Sequence, residues 1–438
     1  MTDPLFIGAM AVVAMLALAS FGVPVGIAMS VVGLIGLWLT GGPAFAINTL
    51  ANLPFATASD YGFVVIPMFI LMGAIASGSG ITQELFGFSN RVLGSTRGAL
   101  LHATILASAG FAAISGSTVV NAVLFTRIAL PEMIRLGYDK AVSAGCIAAA
   151  GTIAALIPPS ISFVIYGLMT GESVAELLIA GIVPGVLTAA AYMIGMTVLV
   201  RLRPGIAPDP QPRATFREIA DGAKSLWATI ILAALVIGSI YLGFTTPSGA
   251  AAFGAIGALV IALVRRRLSR KELESSLSSS AATTAALFIV IIGGLLFTRF
   301  LLVSGTVTAT TDLLVAMELP PYVFLAVLVA IYLVLGMFVD PLSMQVMTLP
   351  FAYPIMLALG FDGVWFGVIV VKLVEIAVLT PPVGMNLFAV VGASGGRVSL
   401  ADTYRGIFPF IVIEVVVLLL LVAFPELSTW LPDQMFSR

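Results

Sequence analysis

Long apolar stretches alternate with short polar segments along the whole chain. Stretches without Asp, Glu, Lys or Arg include residues 4–59, 98–126, 141–171 and 225–264. Each is longer than the roughly 20 apolar residues that an α-helix needs to cross the hydrocarbon core of a bilayer. The pattern therefore predicts an all-α polytopic membrane protein.

An internal repeat of Gly and Pro positions divides the chain in two. Matching positions lie 223 residues apart, as Pro24 and Pro247 do. The same spacing relates Pro131 to Pro354, the Leu-Gly-Tyr-Asp run at 136–139 to the Leu-Gly-Phe-Asp run at 359–362, and the Pro-Pro pair at 158–159 to the pair at 381–382. Such a repeat predicts two similar halves, residues 1–202 and 224–438, joined by a polar cytoplasmic linker at 203–223.

Basic residues are distributed differently in the two halves. Residues 40–60 contain no Lys or Arg, whereas the matching part of the second half has five within residues 265–271. Because Lys and Arg concentrate in cytoplasmic loops, matching loops are expected on opposite sides of the membrane. The halves are therefore predicted to be inverted repeats, each crossing the membrane an odd number of times, with a periplasmic N-terminus.

Five crossings and one re-entrant hairpin in each half satisfy this requirement. In the first half, crossings are predicted near residues 5–21, 23–40, 62–80, 141–169 and 176–200, with a hairpin at 98–131. In the second half, they are predicted near residues 225–243, 247–264, 281–302, 364–392 and 406–424, with a hairpin at 322–350.

Each half also contains two predicted breaks at membrane depth. The hairpins are interrupted at residues 114–118 and 339–343, and one crossing in each half carries a Pro-Pro pair. Unpaired peptide groups are tolerated there only if they are buried in protein or line a wet cavity. Broken helices of inverted repeats are where secondary transporters bind substrate and coupling ions.

The polar residues near these breaks form two candidate clusters. The first is uncharged and consists of Ser115, Gly116, Ser117, Thr118, Asn121, Thr152, Ser160 and Ser162. The second consists of Asp340, Ser343, Glu375, Thr380, Gly384 and Asn386. Hydroxyls, carbonyls and an isolated intramembrane carboxylate are groups that can hold a hard cation, and Asp340 is the strongest candidate ligand.

Some polar residues have simpler interpretations. Lys372 lies one helical turn before Glu375, so a structural ion pair is the alternative interpretation of Glu375. Glu414 has no partner nearby in sequence and is interpreted as a contact between helices or subunits, without a transport role. His102 is expected to be an interfacial hydrogen-bond donor, and Cys146 to be a packing residue.

Composition excludes several classes of function. The chain is 60% hydrophobic and 9% charged, and its net charge of −1 does not suit nucleic-acid binding. One Cys and one His exclude an internal disulfide and a metal site rich in these residues, and they scarcely supply the nucleophile–base pair of an enzyme. The N-terminus has no basic region before its apolar run, so we expect no cleaved signal peptide.

The motif at residues 379–388, Leu-Thr-Pro-Pro-Val-Gly-Met-Asn-Leu-Phe, resembles the signature of one transporter family. This is the large membrane (M) subunit of tripartite ATP-independent periplasmic (TRAP) transporters. The Ser-Gly-Ser-Thr run at 115–118, Phe-Gly-Val-Pro at 21–24 and Pro-Met-Phe-Ile-Leu-Met-Gly at 67–73 match the family as well. Where relatives often have Pro-Thr-Glu-Ala, residues 247–250 read Pro-Ser-Gly-Ala, outside the candidate clusters.

The resemblance implies a Na⁺-driven elevator-type importer of a small organic acid in the bacterial inner membrane. It implies two partners, a small membrane (Q) subunit and a soluble periplasmic substrate-binding protein, and no organic cofactor. Na⁺ is then expected at the two clusters, and substrate near Ser160, Ser162, Gly384 and Asn386. The alternatives are a stand-alone ion-coupled anion transporter and a non-transporting membrane anchor or assembly subunit.

Overall fold

The protein is built almost entirely from helices. The computed structural model describes residues 3–210, 212–317, 320–337 and 339–436. Helices α1 to α11 are Pro4–Ser20, Val25–Gly41, Pro43–Ser59, Val65–Gly78, Ile81–Leu93, Ala99–Ser115, Thr118–Arg135, Lys140–Thr152, Ile161–Thr170, Val174–Ala180 and Ile182–Leu202. Helices α12 to α23 are Phe216–Ser225, Trp227–Ala233, Ser239–Tyr241, Pro247–Val264, Arg270–Val303, Thr306–Ala316, Pro321–Leu335, Pro341–Ala358, Gly363–Leu379, Met385–Ala393, Leu400–Ala423 and Glu426–Phe436.

Several helical segments can cross a bilayer, which confirms the predicted class of membrane protein. Among the described residues, five are long and apolar enough, namely Tyr61–Gly78, Val174–Leu202, Pro247–Val264, Arg270–Val303 and Leu400–Ala423. A sixth is formed if Phe216–Ser225 and Trp227–Tyr241, which are bent by 48°, are taken together. The other predicted crossings coincide with shorter apolar helices, including those beside the predicted breaks.

Three regions that lie between the predicted crossings and hairpins contain helix. Residues 40–60 hold α3, residues 303–321 hold α17, and α19 continues to Ala358, beyond the predicted end of the second hairpin. Helix α16 begins at Arg270, three turns before the predicted crossing. Its start is fixed by a capping box in which Ser269 and Glu272 satisfy each other's backbone N–H groups, so polar residues continue the helix beyond the apolar segment.

The predicted linker at 203–223 is likewise partly helical. Helix α12 begins within it at Phe216. Thr215 and Glu218 form a capping box there, and the backbone N–H and hydroxyl of Thr215 hold the pKa of the Glu218 carboxyl below its usual value. The linker therefore packs back onto the protein, with α12 lying against α5.

Helix boundaries recur at the 223-residue spacing. The bounds of α7, Thr118–Arg135, match those of α19, Pro341–Ala358, at both ends. The glycines that follow, Gly137 and Gly360, both have φ of +84°. The repeated glycines thus correspond to repeated helix ends, whereas the repeated Pro131 and Pro354 lie inside α7 and α19. The opposite orientation of the two halves across a membrane remains a prediction.

The two halves are interleaved. Helix α2 packs along α16 and α4 along α15, and α9 contacts α19 as α21 contacts α7. Exchanging the two halves converts the α2–α16 pair into the α15–α4 pair, and the α9–α19 pair into the α21–α7 pair. Small residues permit the closest approach, since a Cβ on Gly26 of α2 would lie 2.7 Å from Cα of Val290 in α16.

The helices that lead to the breaks form the interior. Every residue of α20 is buried, and so are most residues of α6 and α8. Helices α1, α2 and α15 instead expose large apolar side chains, as expected for surfaces that face lipid. The first break is therefore enclosed by protein, which is the condition for irregular backbone at membrane depth, whereas Pro382 and Val383 of the second break are exposed.

Candidate functional site

The first hairpin turns at Gly116, and its tip lies against the first Pro-Pro break. Gly116 has φ of +60°, and a Cβ added there would lie 2.4 Å from the carbonyl oxygen of Pro159. Only glycine combines that backbone conformation with so close a contact. We call this contact between residues 115–118 and 156–160 the first tip–break pair.

Ser160 organises the break itself. Its hydroxyl accepts a hydrogen bond from the N–H of Phe163 at 3.2 Å and donates one to the carbonyl of Ala155. Ser160 thereby caps α9 and ties it to the end of the preceding helical turn. Ser162, in the first turn of α9, is buried as well.

The other residues of the first cluster differ in whether their polar atoms already have hydrogen-bond partners. Asn121 is fully buried and exchanges hydrogen bonds with the hydroxyl and carbonyl of Ser108, at 3.1 and 3.2 Å. The Thr152 hydroxyl donates to the carbonyl of Ala149 at 2.8 Å. In contrast, the buried Ser115 hydroxyl has no hydrogen-bond partner among the described residues.

Ser117 and Thr118 begin the second arm of this hairpin. Ser117 is the N-cap of α7, and its hydroxyl accepts from the N–H of Val120 at 3.5 Å, a long contact. A Cβ on Gly151 would lie 3.1 Å from the carbonyl oxygen of Thr118, so α7 and α8 approach closely beside the tip.

Asp340 has a capping role that the sequence analysis missed. It is the N-cap of α19, and its Oδ2 accepts from the N–H groups of Ser343 at 3.0 Å and Leu342 at 3.2 Å. The Pro341 that follows could have indicated this, because proline is favoured at the first position of a helix. The side chain of Ser343 is buried, and its hydroxyl has no partner among the described residues.

The second break lies between α20 and α21. The hydroxyl of Thr380 donates to the carbonyl of Ile376 at 2.7 Å, and Gly384, with φ of +54°, precedes α21. A Cβ on Gly336, at the end of α18, would lie 2.9 Å from Cα of Ala377. The end of α18 in the second hairpin thus contacts α20 just before its break, and we call residues 336–337 and 339–343 with 377–384 the second tip–break pair.

Asn386 connects the second break to the first half. Its amide Nδ2 donates to the carbonyl of Ala148 in α8 at 3.2 Å. The side chain is fully buried, and its Oδ1 has no partner among the described residues. The amide nitrogen of Asn386 therefore forms a contact between the halves, whereas its amide oxygen is unpaired among the described residues.

Glu375 and Glu414 share a buried ammonium group. Lys372 Nζ lies 2.9 Å from Glu375 Oε2 and 2.9 Å from Thr188 Oγ1, and it also pairs with Glu414. The hydroxyl of Tyr192 donates to the other oxygen of Glu414. These contacts favour the ion-pair interpretation of Glu375, and they identify Glu414 as a contact between α11, α20 and α22.

A polar cavity of about 410 Å³ adjoins the first tip. Ser115 and Ser117 line it from the tip, and Gly73 of α4 forms part of the wall. Opposite them is a face of α16 that carries Ser275, Ser276, Ser279, Ser280 and Thr283. This face was not predicted from the sequence, although the density of serine at residues 275–280 indicates a polar surface on an otherwise apolar helix.

The cavity gathers only part of the predicted site. Neither Ser160 and Ser162 nor Gly384 and Asn386 are among its lining residues. They lie instead at the starts of α9 and α21, where backbone N–H groups are oriented along each half-helix. The arrangement offers oxygen ligands at the tips, neutral at the first tip and including the Asp340 carboxylate at the second, and backbone donors at the breaks. These groups suit a weakly held cation and an anion respectively.

Comparison with known proteins gives a consistent result over nearly the whole chain. The sequence profile of the DctM component of tripartite ATP-independent periplasmic transporters matches residues 12–427. The C4-dicarboxylate TRAP transporter large permease protein DctM of Pseudomonas aeruginosa is 33% identical, over 89% of this chain and 90% of its own.

Two further relatives are longer than the region that they share with this chain. The sialic acid TRAP transporter permease protein SiaT of Haemophilus influenzae is 31% identical over 94% of this chain and 66% of its own. The isethionate TRAP transporter permease protein DctMQ of Oleidesulfovibrio alaskensis is 30% identical over 93% and 63%. Among solved structures, the YdaH transporter of Alcanivorax borkumensis has a similar fold, with a TM-score of 0.67 over 89% of this chain and 90% of its own at 14% identity.

Proposed function

Because the chain belongs to the family of DctM large permease subunits of TRAP transporters, we propose that it imports a small organic acid with Na⁺ as the coupling ion. It is a multi-pass membrane transport subunit and not an enzyme. The observation that carries the proposal is that each hairpin approaches the broken helix of its own half, with Gly116 against Pro159 in the first half and Gly336 against Ala377 in the second. Two broken helices of this kind are the usual ion and substrate sites of secondary transporters.

Na⁺ is assigned to the two tips. In the first pair the ligands come from Ser115, Gly116, Ser117, Thr118, Asn121 and Thr152. In the second pair they come from Asp340, Ser343 and Thr380. Glu375 belongs to the same cluster, but its ion pair with Lys372 already engages one carboxylate oxygen. The buried, unpartnered hydroxyls of Ser115 and Ser343 support the assignment, because a cation would supply the interaction that each lacks.

The substrate is assigned to the starts of the two half-helices. Ser160 and Ser162 stand at the start of α9, and Gly384 and Asn386 at the start of α21. Helix N-termini attract anions through unpaired N–H groups. C4-dicarboxylates, sialic acid and isethionate, named for the relatives, are all acids that are anionic at neutral pH. A small organic anion therefore matches both the site and the family.

Transport is proposed to proceed by an elevator movement between inverted halves. The repeated helix ends and the exchange symmetry of the helix contacts support inverted repeats of residues 1–202 and 224–438. The distribution of basic residues supports a periplasmic N-terminus in the bacterial inner membrane.

Two partner proteins complete the proposed system. A small membrane (Q) subunit would brace the permease, and a soluble periplasmic protein would deliver the substrate. The unaligned length of SiaT and DctMQ, and the letter Q in the latter name, support a second membrane component. An alternating site must also release its substrate, so high-affinity capture is better placed on a separate protein.

Reconstitution tests this proposal directly. The permease is placed in liposomes with an inward Na⁺ gradient and a membrane potential, with or without its small subunit and a binding protein loaded with radiolabelled C4-dicarboxylate, sialic acid or isethionate. Uptake is expected for one acid, only with both partners and only with the Na⁺ gradient.

Each alternative has its own outcome in the same experiment. Equal uptake by the permease alone would identify a stand-alone anion transporter. Uptake driven by a proton gradient without Na⁺ would show that the coupling ion is H⁺ and not Na⁺. Binding of both partners without uptake of any acid would favour an anchoring or assembly subunit.

A further inference from the structure

A basic cavity lies away from the tip–break pairs, between the start of α6 and the end of α11. Its volume is about 420 Å³. Arg97 and Arg201 give it a cationic part, and Met193 and Ile194 give it an apolar wall. A ligand that covers both parts must have an anionic group attached to an apolar body.

The two guanidinium groups are available to a ligand. The guanidinium of Arg97 lies 3.5 Å from the carboxylate of Asp209, whose side chain is 92% exposed. An ion pair that is this long and this exposed to solvent contributes little to stability. Arg201 is exposed and forms no ion pair within the described part of the chain. Two arginines that line one cavity suit a phosphate group, which guanidinium binds through parallel N–H donors.

His102 lines the same cavity and is held by the protein itself. Its Nδ1 lies 3.0 Å from the carbonyl oxygen of Gly98, and its Nε2 lies 3.2 Å from that of Met193. The hydroxyl of Thr197, 2.9 Å from Nε2, itself donates to the Met193 carbonyl. Both ring nitrogens thus face backbone carbonyl oxygens, and the ring joins the start of α6 to α11.

The surroundings indicate a lipid rather than a soluble anion. Ile194 in the cavity wall and Leu202 at the end of α11 are 66% and 75% exposed on the outer surface of the helix. An acyl chain lying along α11 would cover this surface, whereas inorganic phosphate would leave it bare. Basic pockets between helix ends are typical sites for anionic headgroups on the cytoplasmic side.

The matching region of the second half lacks these features. The residues 223 positions after Arg97, His102 and Arg201 are Pro320, Leu325 and Phe424. The basic cavity is therefore not a consequence of the repeat. It occurs only in the half whose corresponding helix ends are predicted to lie in the cytoplasmic leaflet.

We propose that this cavity binds the phosphate headgroup of an anionic phospholipid, with an acyl chain along α11. Arg97 and Arg201 hold the phosphate, and His102 joins α6 to α11 beside it. The proposal does not depend on the identity of the transported acid or of the coupling ion.

Lipid titration with native mass spectrometry tests the proposal. Delipidated permease is titrated with phosphatidylglycerol or with phosphatidylcholine of the same acyl chains. The double variant Arg97→Gln/Arg201→Gln is compared with Arg135→Gln/Arg217→Gln, which removes two charges at exposed positions outside the cavity. The first variant should bind phosphatidylglycerol about 30-fold more weakly than wild type, while the control should change little.

Three results would overturn the proposal. One is equal loss in both double variants, which would indicate only general attraction to a charged surface. Another is wild-type binding without preference for phosphatidylglycerol. The third is full displacement of that lipid by inorganic phosphate, which would make the cavity a site for soluble anions. If the double variant unfolds, the single variants Arg97→Gln and Arg201→Gln should each weaken binding by about fivefold.

Discussion

The two tip–break pairs share a backbone design but differ in charge. In the first, the tip is neutral and consists of Ser115, Gly116 and Ser117. In the second, Asp340 occupies the position 223 residues after Ser117, and each residue is the N-cap of the helix that follows. The same hydrogen-bonding task is thus performed once by a hydroxyl and once by a carboxylate.

The helices behind the two breaks differ in the same way. Lys372 and Glu375 in α20 correspond to Ala149 and Thr152 in α8, and Glu414 in α22 corresponds to Ala191. One buried lysine facing two glutamates therefore exists in the second half alone. The repeat determines where backbone is broken, whereas side chains set the charge at each break. Two ion sites of unequal strength are the expected consequence.

The largest expected effect concerns the orientation of the two halves. Single cysteines at Asn48 and Lys271, exposed positions 223 residues apart, are introduced in a Cys146→Ser background. A membrane-impermeant thiol reagent should label Asn48→Cys only from the periplasmic side and Lys271→Cys only from the cytoplasmic side. Labelling of both from one side would exclude inverted repeats.

Replacing Gly116 should abolish transport. In Gly116→Ala the new Cβ would meet the carbonyl oxygen of Pro159 at 2.4 Å, so the tip could not stay against the break. Gly137→Ala is the matched control, because Gly137 also has positive φ but nothing within 4 Å. The control should lose only about 1 kcal/mol of stability and retain uptake. Equal uptake by both variants would show that the tip–break contact is dispensable.

A smaller effect is expected when the second tip loses its charge. Asp340→Asn keeps a side chain that caps helices as well as aspartate does. The half-saturating Na⁺ concentration for uptake should rise by about tenfold or more, because a nearby carboxylate would no longer attract the cation. Asp139→Asn, at the exposed N-cap of α8, controls for capping. If neither variant changes the Na⁺ requirement, Asp340 serves only as a cap.

The smallest effect is expected when the neutral tip loses a single hydroxyl group. Ser117→Ala and Ser173→Ala each remove an N-cap hydroxyl, at a cost of about 1 kcal/mol in stability. Only Ser117→Ala should also raise the half-saturating Na⁺ concentration, by about fivefold for one lost ligand. A thermal-unfolding series together with uptake assays separates the two contributions. The same change in both variants would remove Ser117 from the ion site.

Much of the architecture could be predicted from local sequence. Gly116 and the two Pro-Pro pairs interrupt helices through their own backbone chemistry, so both breaks were located to within a few residues. Helices α3 and α17 were missed because they lie where hydropathy and charge suggest a connection, and neither property excludes a helix. The capping role of Asp340 could have been recognised from the Pro341 beside it.

The contacts made by distant residues could not be predicted in the same way. Lys372 and Glu414 are separated by 42 positions, and only the packing of α20 against α22 brings them together. Likewise, nothing near Asn386 in sequence indicates its bond to Ala148 in the other half. The hydrogen bonding of the second cluster therefore could not be read from its composition, and its role as a site stays a prediction.

The flux of Na⁺ itself tests the central claim most directly. Proteoliposomes that contain the permease and its small subunit are supplied with radioactive sodium and with loaded or empty binding protein, and both fluxes are measured. Sodium should enter only when the organic acid enters, in a fixed ratio, and Asp340→Asn should reduce both fluxes together at low Na⁺. Entry of the acid at full rate without accompanying sodium would contradict Na⁺ coupling at the two tip–break pairs.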